Sequence, residues 1–203
     1  MTVNSLWPIL ERAGCGIYVG SRHFLREDGN PPISLAVDLS IWICEALNSS
    51  ALQSFNIDPS LYLVYQRTMR LLKMGIKLIF VIEGNRRIRF QNENEKLSQL
   101  DNNDNARSSF HLVNRRSGTL FWKACTSCEQ ILKLLGVDVV RAEAEGEALC
   151  ALLNSRGIVD GVITNDGDTL LYGASVIYTN FSIENLDSTK IIRYELSKLR
   201  GRR

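Results

Sequence analysis

A single α/β domain built on a mostly parallel sheet, with helices on both faces, is the fold class this sequence predicts, and three observations carry it. Short β-branched runs alternate with helix-patterned segments, and four of those runs end at or shortly before an acidic residue. The 203 residues are 45% hydrophobic, enough for one well-buried domain and little more. In an open parallel sheet the carboxyl ends of the strands share one edge, and ligands bind there.

The elements follow in order. Leu35-Ala36-Val37 reads as a strand running into Asp38, and a helix over 40–47 follows it. Asp58-Pro59 marks a helix start, with Asp as N-cap and Pro at the first helical position; Leu61, Val64, Tyr65, Leu71 and Leu72 carry its apolar face to Gly75. Lys77-Leu78-Ile79-Phe80-Val81-Ile82 is the next strand and stops before Glu83. Residues 84–118 are polar, without a sustained apolar face, and read as a structureless insertion. Arg86, Arg87, Arg89, Lys96, Arg107, Arg115 and Arg116 outnumber its four acids by three and gather at its two ends.

Residues 120–135, closed by Gly136, predict a further helix. Val137-Asp138-Val139-Val140 predicts a strand, and 147–154, apolar almost all round, a helix buried against the sheet. Val159-Asp160-Gly161-Val162-Ile163-Thr164 is the fourth strand, 169–172 a helical turn, and Val176-Ile177-Tyr178 a fifth strand. The organisation expected is one domain over 1–203, with parts at 1–83, 84–118, 119–180 and a basic tail at 181–203.

The acids carry the chemistry. Glu145-Gly146-Glu147 and Asp166-Gly167-Asp168 each lie just beyond a strand, as Asp38 and Glu83 do. Helix N-termini favour negative charge whatever the function, so capping explains either pair alone. Acids at four strand ends call for a cation, because clustered carboxylates raise one another's pKa unless one neutralises them. Magnesium suits an all-oxygen set, and two such ions can activate water and stabilise a leaving oxygen.

Other chemistries fit poorly. There is no phosphate-binding G-x-x-x-x-G-K-[ST] loop, no glycine-rich fingerprint after the first strand, and no Asp-x-Asp after it, where Asp38-Leu39-Ser40 stands. His23 and His111 lie far apart, and Cys125-Thr126-Ser127-Cys128 lacks the second pair that a zinc site needs. The odd count of five cysteines reads as reduced, intracellular thiols, and no apolar run reaches the ~20 residues that span a bilayer. The net charge of +2 decides nothing about partners.

Five ordered blocks resemble the flap-endonuclease/XPG family of structure-specific nucleases, and within it the GEN-type Holliday-junction resolvases. They are Met1-Thr2-Val3-Asn4-Ser5-Leu6-Trp7, Ala36-Val37-Asp38-Leu39-Ser40-Ile41-Trp42, Phe80-Val81-Ile82-Glu83-Gly84, Glu145-Gly146-Glu147-Ala148-Leu149-Cys150-Ala151, and Val159 through Asp168. The resemblance implies a PIN-like nuclease core in which Asp38, Glu83, Glu145, Glu147, Asp166 and Asp168 are catalytic and hold two Mg2+ ions, with Mn2+ as a substitute. It implies that 84–118 is the arch, whose Arg86, Arg87, Arg89 and Lys96 contact DNA. Nuclear action on branched or flapped DNA, pairing of two copies on four-way junctions, and no membrane partner follow in the same way.

This chain departs from the family pattern at Thr2 and Gly146, where Gly and Ala are usual, and at Phe90, where the arch carries a Lys. Family cores also continue into another metal-binding Asp and a helical DNA-binding element, so the resemblance implies a core truncated at its C-terminus. Three functions are therefore weighed: a magnesium-dependent endonuclease of branched DNA, a silent form that binds DNA or a partner, and a PIN-type ribonuclease.

Overall fold

Leu35, Ala36, Val37 and Asp38 are all buried, which marks their strand as the middle of the sheet. The computed structural model describes residues 6–25, 30–50, 57–84 and 107–197, and for 107–119 the backbone only. Its elements are α1 (Leu6–Arg12), β1 (Gly16–Val19), α2 (Ser21–Phe24), β2 (Ser34–Asp38) and α3 (Leu39–Asn48). Then come α4 (Pro59–Lys73), β3 (Lys77–Ile82), α5 (Arg107–Leu134), β4 (Asp138–Arg141) and α6 (Gly146–Ser155). The chain continues through β5 (Gly161–Ile163), α7 (Asp168–Leu171), β6 (Val176–Thr179), α8 (Ile183–Asp187) and β7 (Ile191–Glu195).

Among the described residues the strands form one sheet in the order β1-β7-β6-β5-β2-β3-β4. The five strands from β6 to β4 are parallel, as the sequence predicts, while β7 and β1 add antiparallel pairs at one side. The chain steps outward from β2 to β3 and β4, then returns through α6 to β5 on the other flank of β2. That reversal makes the carboxyl end of β2 the topological switch point, where a crevice opens.

Alternation along the strands divides the core between the two faces. Leu35, Val37, Leu78, Phe80 and Ile82 join Trp42 of α3, Leu71 of α4 and Leu132 of α5 in one cluster. Ala36, Val81, Val162 and Ile177 join Leu10 of α1 and Cys150 and Ala151 of α6 in the other. Each fully buried large side chain, Phe80 for example, contributes about 1.5–3 kcal/mol relative to exposure.

Local signals operate as the residues suggest. Asp58 accepts from the backbone N–H of Ser60 at 2.8 Å and of Leu61 at 3.3 Å, and Pro59 opens α4. Arg67 of α4, buried, donates two hydrogen bonds to Glu45 of α3 at 2.8 and 2.6 Å, and its guanidinium lies 5.2 Å from the centre of the Trp42 ring. Asn154, near the end of α6, accepts from Ser175 N, Ser175 Oγ and Val176 N and donates to the Val159 carbonyl, tying the helix to β6 and to the chain entering β5.

Two expectations need correction, and one strand was not foreseen. The last twelve residues read as structureless insertion belong to α5, which begins at Arg107 rather than near 120; extending an existing helix is far easier than nucleating one, so a weak apolar pattern suffices. The expected basic tail contains α8 and β7, and Arg193 there pairs with Glu195 at 2.6 Å. Gly16–Val19, unassigned by the sequence, forms β1 on β7. Residues 85–106 of the expected arch lie outside the described residues. No helix among the described residues is long and apolar enough to cross a membrane.

Candidate metal centre

The six acids singled out from the sequence all stand at the carboxyl edge of the parallel strands. Asp38 closes β2, and Glu83 follows β3 by one residue. Glu145 and Glu147 flank the start of α6, Asp166 follows β5, and Asp168 opens α7. Asp160 is a useful contrast. It sits at the opposite end, before β5, and accepts from Ser34 N and Ser34 Oγ at 2.7 and 3.0 Å.

Asp38 forms the floor. By alternation it falls on the face of Ala36, toward α6, and it is 2% exposed. Its Oδ1 accepts from Ser40 N at 3.0 Å, so it also caps α3. Burial pushes its carboxyl up to about 7, and the negative charges of Glu147, Glu83 and Asp166 push the same way against that hydrogen bond. Glu147 is raised as well, first by burial, then by Asp166, Glu145 and Glu83. These mutual effects bring the acids of four strand ends into one electrostatic neighbourhood.

Close backbone approach makes the convergence possible. Gly84 donates its N–H to the Ala144 carbonyl at 2.9 Å, and Ala142 donates to Ile82 at 2.9 Å, so the chain after β3 is fastened to the chain after β4. Gly146 lies beside Asp38, where a Cβ would stand in ordinary contact 3.6 Å from Oδ1. The third acidic loop is folded by its own side chains. Asp166 N donates to Thr164 Oγ1, and Asp166 Oδ1 accepts from Asp168 N, both at 3.0 Å. Leu6 and Trp7 of α1 pack against Gly167 from outside.

Capping does not account for these acids as a set. Glu145 occupies the N-cap of α6 without a side-chain capping bond, and the N-cap of α7 is Gly167. One functional candidate escaped the sequence: Tyr172, just after α7, donates its hydroxyl to Glu145 Oε2 at 2.6 Å. A lone tyrosine after a short helix carries no pattern signal, and only the packing of α7 beside α6 reveals it. That hydrogen bond first, then desolvation and the charges of Glu145, Glu147 and Asp168, raises the phenol to about 12.

The donor set fits divalent cations. All six groups are carboxylates, the oxygen ligands magnesium prefers, and the raised Asp38 and Glu147 are acids whose repulsion a cation would relieve. Among the described residues no three of them close into a preformed cage, so the arrangement is an open edge. Arg86, Arg87, Arg89 and Lys96 lie outside the described residues. Cys125 and Cys128 are buried on the core side of α5, and burial pushes both thiols up to about 12, which leaves them neutral.

The XPG N-terminal domain matches residues 1–104, and the XPG I-region matches 136–202. The human protein "Flap endonuclease GEN homolog 1" is 37% identical over 191 residues, covering 92% of this chain and 19% of its own length. This chain therefore spans about a fifth of that relative. A crystal structure of human GEN1 with Holliday junction DNA superposes with a TM-score of 0.73 at 32% identity, covering 98% of this chain and 46% of that one. A structure of the Holliday junction-resolving enzyme GEN1 with product DNA, Mg2+ and Mn2+ shares the fold at a TM-score of 0.60 and 23% identity, over 98% of this chain and 42% of that one.

Proposed function

The chain belongs to the XPG family, and on that premise we propose that it is a magnesium-dependent, structure-specific endonuclease that hydrolyses phosphodiester bonds in branched DNA, flaps and four-way junctions, in nuclear repair and recombination. The observation that carries the proposal is the convergence of acids from four parallel strand ends around the buried Asp38. Such a group has little structural use, since burying a carboxylate among carboxylates is costly. It has a clear chemical use.

In this reading Asp38, Glu83, Glu145, Glu147, Asp166 and Asp168 hold the metal. Bound Mg2+, or Mn2+ in its place, supplies an activated water and a counter-charge for the leaving oxygen. The protein's own contribution is rigidity: the sheet fixes Asp38, the Gly84–Ala144 hydrogen bond fixes the segment carrying Glu83, and the Asp166–Asp168 turn fixes the third loop. Arg86, Arg87, Arg89 and Lys96 supply phosphate contacts, and two copies act together on a four-way junction.

The test incubates the 203-residue chain with labelled flap DNA, four-way-junction DNA and single-stranded RNA, with and without Mg2+. Metal-dependent cutting of branched DNA is expected. Asp38→Ala and Asp166→Ala are expected to abolish it while sparing DNA binding, because phosphate contacts position and ligand loss attacks chemistry. Binding without cutting overturns the proposal in favour of a silent DNA-binding protein. Preferential cutting of RNA replaces it with a ribonuclease.

A further inference from the structure

We propose that Tyr172 is a positioning residue of this centre, its hydroxyl orienting the Glu145 carboxylate to receive a divalent cation. The inference rests on the metal-centre reading above. It starts from a geometric fact: the hydroxyl reaches Glu145 Oε2 at 2.6 Å across 27 residues of sequence, joining the two acidic pairs.

The joint has a defined mechanical basis. Tyr172 is the C-cap of α7, and its N–H donates to the carbonyl of Asp168, the helix's first residue, at 2.9 Å. One end of a single helical turn thus carries Asp168, and the other carries the hydroxyl that holds Glu145. Ala174, buried behind the turn, donates to the Thr169 carbonyl at 3.2 Å and anchors it to the core. The phenol hydrogen bond thus links the turn that carries Asp168 to Glu145, joining the acids that follow β4 to those that follow β5.

A purely structural tie is the competing explanation, and burial speaks against it. Tyr172 is 49% exposed, and its neighbour Leu171 is 62% exposed. A hydrogen bond between water-accessible groups adds little to stability, because water replaces it readily. The same bond to a metal-binding carboxylate has a different effect. Partners that orient such ligands typically change metal affinity or activity by about 10–100-fold.

The test measures Mn2+ binding to the whole 203-residue chain without DNA, following the free-ion signal by electron paramagnetic resonance. Tyr172→Phe keeps the ring and removes the hydroxyl. Expected are a Mn2+ dissociation constant roughly tenfold weaker than wild type, an unchanged melting temperature, and no further loss when Tyr172→Phe is added to Glu145→Ala. Equal Mn2+ affinity in wild type and Tyr172→Phe overturns the inference and leaves the metal centre standing. An equal loss in both backgrounds also overturns it, because Tyr172 then acts through another group. A wild-type chain that takes up no Mn2+ sinks the metal centre, and this inference with it.

Discussion

Gly84 and Ala142 meet backbone to backbone: a Cβ on Gly84 would lie 2.5 Å from the Ala142 carbonyl oxygen and 2.7 Å from that of Glu143. Both oxygens belong to the segment that the Gly84–Ala144 and Ala142–Ile82 hydrogen bonds fasten to the end of β3, which limits how far they can give. Gly84→Ala is therefore expected to cost about 2–3 kcal/mol, in line with overpacking at a rigid site. At this chain length that lowers the melting temperature by roughly 5–10 °C. Circular dichroism melts read the stability, and Mn2+ affinity reads the accompanying displacement of Glu83.

The opposite outcome is expected at Gly146. A Cβ there would sit 3.6 Å from Asp38 Oδ1, 3.8 Å from Glu83 N and 3.8 Å from Val81 Cγ1, all ordinary contacts. Alanine also restricts the unfolded chain and favours the helix that Gly146 begins. Gly146→Ala should raise stability by about 0.4–1 kcal/mol, with DNA cutting retained. A drop in the urea midpoint would show that the pocket above Asp38 is tighter than it looks.

Asp38 predicts a pH dependence whose sign runs against the usual salt-bridged carboxylate. Its folded pKa, about 7, lies above the ordinary 3.8, so between those values the folded state binds more protons than the unfolded chain. Stability from this group is fully present below about pH 4 and is lost as pH rises toward about 7, by up to ~4 kcal/mol. Asp38→Asn keeps the acceptor for Ser40 N but cannot ionise. Its stability advantage over wild type, measured by urea denaturation, should grow through that window and level off above it, and saturating Mg2+ should shrink the difference.

Asn154 anchors the far end of the helix that delivers Glu145 and Glu147. Its Oδ1 accepts from three donors at 2.7, 3.0 and 3.1 Å, and its Nδ2 donates at 3.0 Å, all at a position 5% exposed. Truncation to alanine orphans the Val176 N–H and the Val159 carbonyl inside the protein, at a cost of about 3 kcal/mol. Chemical denaturation measures the loss. A change below about 1 kcal/mol would mean that water replaces the amide.

Cysteine labelling checks the burial pattern directly. Cys44 is exposed, whereas Cys15, Cys125, Cys128 and Cys150 are buried and reduced. A maleimide at neutral pH should modify Cys44 in the native protein and the other four only after denaturation, as followed by intact mass. Rapid labelling of Cys125 or Cys128 in the folded state would contradict the packing of α5 on the core.

Local patterns in the chain were enough to place the parallel centre of the fold and the acids along its edge. Runs such as Leu78 to Ile82 are apolar because strands covered on both faces must be, and the acids stand where such runs stop. Asp58-Pro59 likewise placed the start of α4, since capping is a property of adjacent residues. Local chemistry was legible wherever its partners lay a few residues apart.

The remaining features depend on partners distant along the chain. β1 is a short strand that exists by pairing with β7, and Ile17 and its partner Arg193 stand 176 positions apart, invisible to any local window. Burial, and after it the charges of Glu147, Glu83 and Asp166 from three other strand ends, raise the Asp38 carboxyl, and the approach of Gly84 to Ala142 depends on β3 and β4 lying side by side. Tyr172 meets Glu145 only because α7 packs beside α6. Residue type and spacing announce which groups are present; their distances, burial and mutual repulsion arise only when the sheet closes and brings remote strand ends to one edge.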